Sequence, residues 1–444
     1  LMENDDLKTM FNRLKEQERR VEAYTAYYYG DHPLIYSHER LREVFNRSTV
    51  NFVQNWCAVV IDTTLDRITL HGYDNPNRSI NDKLDSFWDG QKLSQLSRHV
   101  HRDSLITGNG YLMLDLIDGE KRVFYNSPSQ IAIEYSDEDP NVKRLAIKVF
   151  YSAENNSTQL NLYYPDRIEK YACQGKPTYY KSFNLIDEIP EPFGSIPIIH
   201  FKAQPELTNV IPLQDAINKI FSDMMVIAEF GAFPQRWMIT NADISSLTAS
   251  PQSIMQIPKG TSDEEVTSVG VFQTADLAMY LDTIDKLTNT ISIISRIPKH
   301  YFSNTGANVS GEALVVMETP LIKKINHIID GLEQPWLELA KYIDESEKTV
   351  CTWERPETEQ IVMQTSAMQT MVAMGIPLVT VLKRFGWGQD DINQMIADMK
   401  EDKKRNADLA EAALETAVIR LQQSNNPYLP EMNTQTQTER GEAE

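Results

Sequence analysis

Arg296-Ile-Pro-Lys-His-Tyr-Phe-Ser-Asn-Thr-Gly-Ala-Asn-Val-Ser-Gly-Glu-Ala-Leu314 joins two helical patterns. Pro298 lacks an N–H and clashes with the turn before it, so a helix is expected to close there. Ser303 to Asn308 is small, polar and glycine-bearing, which predicts an exposed loop. Ser310 offers a capping hydroxyl and Glu312 suits the positive end of a new helix. Ala313 at the third helical position leaves the capping box incomplete. Leu314, Met317, Leu321, Ile325, Ile328, Leu332, Trp336, Leu339 and Ile343 then recur at steps of three or four, one stripe of a helix on the order of 50 Å long. Pro320 and Pro335 are expected to bend or break it. On periodicity alone the stretch is two buried helices joined by a surface loop.

Upstream, residues 212–231 carry Leu213, Ile217, Ile220, Met224 and Ile227 on one stripe. Residues 274–295 carry Leu277, Leu281, Ile284, Leu287, Ile291 and Ile294. Between them, Phe233-Pro-Gln-Arg-Trp-Met-Ile to Val271-Phe predicts irregular chain with short strands. Residues 5–28 form an amphipathic pattern (Leu7, Met10, Leu14, Val21, Tyr24, Tyr28) stopped by Gly30 and Pro33. The tyrosines Tyr27 to Tyr29 suit a packed corner better than an aromatic binding surface. Asn51, Trp56, Val59, Val60 and Asp62 lead into Leu65-Asp-Arg-Ile-Thr-Leu-His-Gly-Tyr73, a helix running into a strand. Residues 81–106 are expected to be one helix, after which Gly108 and Gly110 turn the chain. From Tyr111 to about Phe201 the texture is β, with runs at 111–115, 123–125, 130–135, 144–150, 159–164 and 168–171. Asp137-Glu-Asp-Pro-Asn and Glu154-Asn-Asn-Ser read as turns, giving a mostly antiparallel region. Val350-Cys-Thr-Trp-Glu predicts a short strand. Residues 357–421 are helical, interrupted at Gly375-Ile-Pro377 and Phe385-Gly-Trp-Gly388. The charge run 398–408 suits a solvated face, and 422–444 is expected to be disordered. The fold class is α+β.

The 444 residues suffice for two or more domains, with 41% hydrophobic and 24% charged residues. No apolar run reaches membrane-span length, and Met2 to Asp6 is acidic rather than signal-like. Cys57, Cys173 and Cys351 are far apart and odd in number. They suit core thiols in a reducing compartment, not a disulfide framework or a metal site. No GxxxxGK[ST], GxSxG or HExxH run is present. His99 and His101, the close pair among eight histidines, point apart at i, i+2 on a helix. No carboxylate pair is specified for acid–base work. No catalytic residue, cofactor or metal is expected.

Ile297-Pro-Lys-His-Tyr-Phe, the Asn/Gly loop, then Ser310-Gly-Glu-Ala-Leu and the long helix resemble the tunnel-loop region of tailed-bacteriophage portal proteins, siphovirus type. Tyr28, Gly30 and His32 resemble an early corner of that family, and Asn51, Trp56, Val59 and Asp62 its next pattern. Met374-Gly-Ile-Pro-Leu-Val, Leu382 and Phe385-Gly-Trp resemble its crown. Each motif is short, and their order over residues 5–421 is the specific part. The resemblance implies an N-terminal helix and wing at 1–210, stem helices at 211–231 and 273–297, and a clip at 232–272. It implies a tunnel loop at 298–309, a long wing helix with a short strand at 310–356, a crown at 357–421 and a disordered tail at 422–444.

It also implies a homo-oligomeric ring, usually a dodecamer, at one capsid vertex of the virion, assembled in the bacterial host cytoplasm. Double-stranded DNA would pass through it during packaging and ejection. Terminase and then a head–tail connector protein would dock at the clip, with major capsid protein around the wing and scaffold during assembly; no membrane is involved. The absent phosphate loop separates the chain from a packaging ATPase. A net charge of −20 argues against a conventional nucleic-acid binder. It suits a conduit that must not hold its DNA, and plain solubility equally. The loop residues Asn304, Thr305, Gly306, Ala307 and Asn308 are then expected to form the constriction. The amides and hydroxyl would contact phosphate weakly, and Gly306 would permit close backbone approach. Lys299 and His300 are the nearest candidates for positive charge facing DNA, Lys299 equally a partner for a neighbour's carboxylate. Asp282, Asp285 and Lys286 are expected near the channel or a neighbouring subunit. A nucleic-acid-processing enzyme and another ring-forming head–tail connector are the alternatives, the connectors typically being much shorter.

Overall fold

Apolar periodicity places the helices and alternation places the strands of this computed structural model. It describes residues 5–33, 53–177, 179–231, 236–239, 268–271, 276–302, 311–346, 348–357, 361–385 and 387–424. The chain opens with α1 (Asp5–Tyr29), α2 (Trp56–Leu65), β1 (Leu70–Asp74), α3 (Arg78–Gly90) and α4 (Leu93–Thr107). It continues through β2 (Asn109–Ile117), β3 (Glu120–Asn126), β4 (Ile131–Tyr135), β5 (Lys143–Ser152), β6 (Ser157–Tyr163), β7 (Arg167–Gln174), β8 (Asn184–Pro190) and β9 (Ile198–Lys202). Then come α5 (Ile211–Gly231), β10 (Arg236–Ile239), β11 (Ser268–Val271), α6 (Leu277–Ser295), α7 (Gly311–Ile343) and β12 (Val350–Trp353). The last helices are α8 (Ile361–Ala373), α9 (Leu378–Arg384) and α10 (Gln389–Ser424). The chain divides into two compact units, residues 1–357 and 358–444.

In the first unit, β4 to β8 form an antiparallel meander in sequence order. Period-two alternation gives this sheet two apolar faces. One, with Ala132, Leu145, Ile147, Leu160 and Leu162, is covered by Leu7, Met10, Phe11 and Leu14 of α1. The other, with Ile131, Ile133, Ala146 and Tyr163, meets Tyr111, Met113 and Ile198 of the three-stranded sheet β3–β2–β9. The main core lies on the far side of that sheet. There Leu112, Leu114 and Phe201 join Trp88, Val100, Leu105, Leu321, Ile325, Trp336 and Leu339. β1 pairs antiparallel with β12, so residues 350–353 return to the beginning of the unit. Gly110 is required where β2 crosses α4, because a Cβ there would lie 2.4 Å from the Val100 carbonyl oxygen.

Residues 81–106 do not form one helix. Asn77 caps α3 by accepting from the Ser79 N–H, and Lys92 then takes a left-handed φ of 54°, separating α3 from α4. Neither proline breaks α7, which runs from Gly311 to Ile343 with Pro320 and Pro335 inside it. Each removes one backbone donor, and burial of Leu321, Ile325, Leu332, Trp336 and Leu339 carries the helix through. The stripe is less complete than its periodicity: Met317 is exposed, and Leu314, Ile328 and Ile343 are half-buried. β8 has no counterpart in the expected strands; its residues are exposed except at Ile189, so alternation is absent. In the second unit the chain turns at Gly375 (φ 88°), and α9 follows Pro377 with Val381 and Leu382 buried. α10 continues to Ser424. Residues 425–444 of the expected tail lie outside the described residues.

Candidate functional site: the stem helices and the seat of residues 303–310

α5 and α6 pack against each other, but not along the whole expected stripe. Ile217 on α5 and Ile284 and Ile291 on α6 are buried, and Leu287 is half-buried. Leu277, Leu281 and Ile294 are exposed, together with Met279 and Ile293. Small polar residues, Thr288, Ser292 and Ser295, take the remaining buried positions. A small hydroxyl can fill a tight interface when a nearby carbonyl satisfies it: the Ser292 hydroxyl donates at 2.7 Å to the carbonyl of Ile297, just beyond the end of α6. Asp282, Asp285 and Lys286 are exposed, and Lys286 Nζ donates to Asp282 Oδ2 at 2.7 Å across one helical turn.

The start of α5 is fixed to the N-terminal corner by a buried polar network. The Tyr27 hydroxyl donates to both Asp215 oxygens, at 2.9 and 3.1 Å, and its ring stacks on His32 at 4.0 Å. Asn218 Nδ2 lies 3.0 Å from His32 Nε2, and Gln214 accepts from the Trp56 N–H at 2.8 Å. Burial raises the Asp215 carboxyl above its ordinary range against the pull of the Tyr27 hydroxyl, and lowers the His32 imidazole. The corner is therefore packed at Tyr27, whose hydroxyl reaches the network, and at Tyr28, whose hydroxyl donates to Asp62 at 2.8 Å, while Tyr29 is exposed.

α6 ends at Arg296, a C-cap with φ 58°, whose N–H reaches back to the Ile293 carbonyl. Pro298 then opens a 3-10 turn over Lys299–Tyr301, and Phe302 packs beneath Trp56 at 5.5 Å. Lys324 of α7 secures the same end of α6. Its ammonium, almost fully buried, lies 2.7 Å from Glu206 and donates to the Ser295 carbonyl at 3.0 Å and Thr64 Oγ1 at 3.3 Å. Ser295 is at the C-terminus of α6, where carbonyls lack helical partners and the helix dipole favours a cation. An open cleft of about 730 Å³ borders this point, lined by Lys202, Glu206, Arg296, Lys324, His327 and Asp330 among others. Its charges are mixed, and the three Lys324 contacts occupy that ammonium. Among the described residues no three His, Cys, Asp or Glu side chains are grouped to hold a metal ion, and no helix is long and apolar enough to cross a membrane.

Of the candidate channel residues, Lys299 is exposed in the 3-10 turn. His300 is half-buried, with Nε2 4.0 Å from Glu318 Oε1. Asn304, Thr305, Gly306, Ala307 and Asn308 lie outside the described residues, as does the expected Ser310 cap. His99 and His101 diverge: His99 is exposed, while His101 is buried and accepts from Trp336 Nε1 at 2.9 Å. Burial alone holds the His101 imidazole down at about 3. Cys57 and Cys173 are buried and Cys351 half-buried, all as free thiols. Lys324 belongs to no motif, yet the sequence carries a signal for it: of the pair Lys323 and Lys324 between Leu321 and Ile325, it is the one on the core-facing side of the stripe.

The portal protein of Mycobacterium phage D29 is 20% identical to this chain over 465 aligned residues, covering 95% of this chain and 92% of that protein. The portal protein of Mycobacterium phage L5 is 21% identical over 292 residues, 60% of this chain and 59% of that protein. Among solved structures, a chain from the neck of a native gene transfer agent particle computed with C12 symmetry aligns at 13% identity with a TM-score of 0.45. That alignment covers 80% of this chain and 95% of that one. Residues 7–409 match the family described as phage portal protein, SPP1 Gp6-like, and the chain belongs to that family.

Proposed function

We infer that copies of this chain close into a ring, a dodecamer by resemblance, set at one vertex of the phage capsid. The ring is the channel for double-stranded DNA during packaging and ejection. The observation that carries the ring is the apolar surface that α6 leaves open. Leu277 and Leu281, on the stripe of the buried Ile284 and Ile291, are exposed, and so are Met279, Ile293 and Ile294 elsewhere around the helix. Apolar side chains left open along one helix suit a head-to-tail neighbour, and such contacts close into cyclic assemblies. Residues 304–308 form the constriction of the channel, with Lys299 and His300 at its rim and Asp282, Asp285 and Lys286 toward the channel or the next subunit. The role is mechanical and assigns no catalytic residue. Residues 232–272 receive terminase and then the head–tail connector, the strand-rich wing meets major capsid protein, and scaffold acts during assembly in the host cytoplasm.

Class-averaged electron micrographs and native mass spectrometry of the purified chain test the ring, and a monomer at assembly concentration sinks it. Deletion of residues 305–307 tests the constriction. Rings are expected to persist while DNA packaging or retention fails, and retention of full-length DNA by the deletion variant would remove 304–308 from this role.

A further inference from the structure

Three distant segments meet at the side chain of Arg67, two residues beyond α2. Its Nη1 donates to the Pro356 carbonyl at 2.8 Å. Its Nη2 donates to the Tyr301 hydroxyl at 2.8 Å and to Glu318 Oε1 at 3.1 Å. The Tyr301 hydroxyl in turn donates to the same Glu318 oxygen at 3.3 Å. The Arg67 and Glu318 side chains are 18% and 11% exposed, so the pair is shielded from water. Tyr301 closes the 3-10 turn before residues 303–310, and Glu318 stands on the second turn of α7 after them.

We propose that Arg67 is a positioning residue for the channel: it fixes the two chain ends between which residues 303–310 run. This rests on the constriction role given to residues 304–308 above. The chemistry fits arginine specifically. A planar guanidinium reaches acceptors in several fixed directions at once, whereas a lysine ammonium is a point charge on a flexible stem. The three acceptors are far apart in sequence and share no element, so the fork is what brings them to one place. Burial gives the contact weight: with Arg67 gone, the Glu318 carboxylate loses its arginine partner in a site largely closed to water, and keeps the Tyr301 hydroxyl at 3.3 Å and His300 at 4.0 Å. Tyr301 in turn loses the Arg67 bond and keeps the longer one to Glu318. The packing of Phe302 on Trp56 remains, so loss of Arg67 loosens the polar side of this seat and leaves the core in place.

The test uses rings of the full-length chain, in wild-type form and as Arg67→Gln, Arg67→Lys and Tyr301→Phe. Amide hydrogen exchange is read at residues 299–302 and 313–318, with β5 to β7 as the internal reference. DNA retained per particle is measured alongside, with deletion of 305–307 as a parallel arm. Both Arg67 variants are expected to exchange about tenfold faster in the two flanking stretches and at wild-type rates in the reference strands. DNA retention falls with them, and Tyr301→Phe gives a smaller change in the same direction. Lysine failing to rescue separates the fork from simple charge. If Arg67→Gln does not assemble, Tyr301→Phe decides, because it removes one hydroxyl and no charge. Wild-type exchange at 299–302 and 313–318, or acceleration spread over the reference strands, overturns the proposal. So does full DNA retention by an Arg67 variant with accelerated exchange when the deletion loses DNA. Full retention by the deletion itself overturns the constriction role instead, while the exchange data still decide whether Arg67 holds the segment ends.

Discussion

Lys324→Met removes a buried ammonium while keeping an unbranched stem of similar length. Three acceptors lose their donor: Glu206 at 2.7 Å, the Ser295 carbonyl at 3.0 Å and Thr64 Oγ1 at 3.3 Å. The Thr64 hydroxyl still donates to the Val60 carbonyl at 2.9 Å, so its loss counts for little. The Ser295 carbonyl loses a bond from a charged donor, worth ~1.5–3 kcal/mol. Breaking a buried ion pair from one side costs ~3–5 kcal/mol in all, because the other charge is stranded. Glu206 retains 19% exposure, so water takes up part of that charge and the low end applies. The expected loss is about 3 kcal/mol. Glu206→Gln in the Lys324→Met background is expected to return about 1–2 kcal/mol of it, because the stranded charge is gone. The assay is urea unfolding followed by tryptophan fluorescence, which reports on the first unit: Trp387 alone of the six tryptophans lies beyond residue 357. A loss below about 1 kcal/mol, the range of exposed ion pairs, or strict additivity in the double variant would refute the assignment of Lys324 as a buried clamp.

Ile284→Asp puts a carboxylate at a 5% exposed position between α5 and α6 and is expected to abolish rings, at a cost of several kcal/mol; normal rings in micrographs would mean the face is not buried. Gly110→Ala drives a methyl onto the Val100 backbone and is expected to destabilise by about 2 kcal/mol or more, while Gly90→Ala, with open space, is expected to be near neutral. Equal urea midpoints for the two variants would count against the close crossing of β2 and α4. His101→Gln keeps an acceptor for Trp336 and removes a titrating group. Burial lowers His101 from 6.5 to about 3, so below pH 6.5 the unfolded chain takes up a proton that the native chain refuses. That stability is present above pH 6.5 and is lost as pH falls toward 3. The wild type is expected to lose about 1.5 kcal/mol more than His101→Gln between pH 6.5 and 5. Parallel curves for the two proteins would show that His101 is not held neutral.

Much of the fold was written in periodicities. The meander from β4 to β7 and the helices α1, α5 and α7 fall where the β texture and three-to-four spacing place them, because the helices turn one face to apolar partners and the sheet is covered on both. β8 escaped because an edge strand with both faces exposed needs no alternation. The division between α3 and α4 escaped because Lys92 adopts a left-handed backbone without the glycine that usually marks one. The stripe on α6 misled because Leu277, Leu281 and Ile294 follow helical spacing yet remain uncovered within one chain. Spacing reports which residues share a face, not what meets that face. The seat of 303–310 was the least legible part. Tyr301 stands in the Ile297–Phe302 motif, but Arg67, Glu318 and Lys324 belong to none and reach this region only through the fold.

The return of β12 to β1 has a consequence for how the protein is made. Leu70 pairs with Trp353, and the Glu354 N–H donates to the Thr69 carbonyl at 2.9 Å. The β4–β8 meander is built from neighbours in sequence and has its covering helix α1 upstream, so it can fold while synthesis is still under way. The main core cannot. Trp88, His101 and Phe201 emerge early and wait for Trp336, and β1 remains an unpaired edge until the ribosome has delivered residue 353. Between synthesis of Pro190 and of Trp353 the chain therefore carries a finished sheet domain beside an open apolar surface, the stage at which slower translation, lower temperature or a chaperone has the greatest effect on yield.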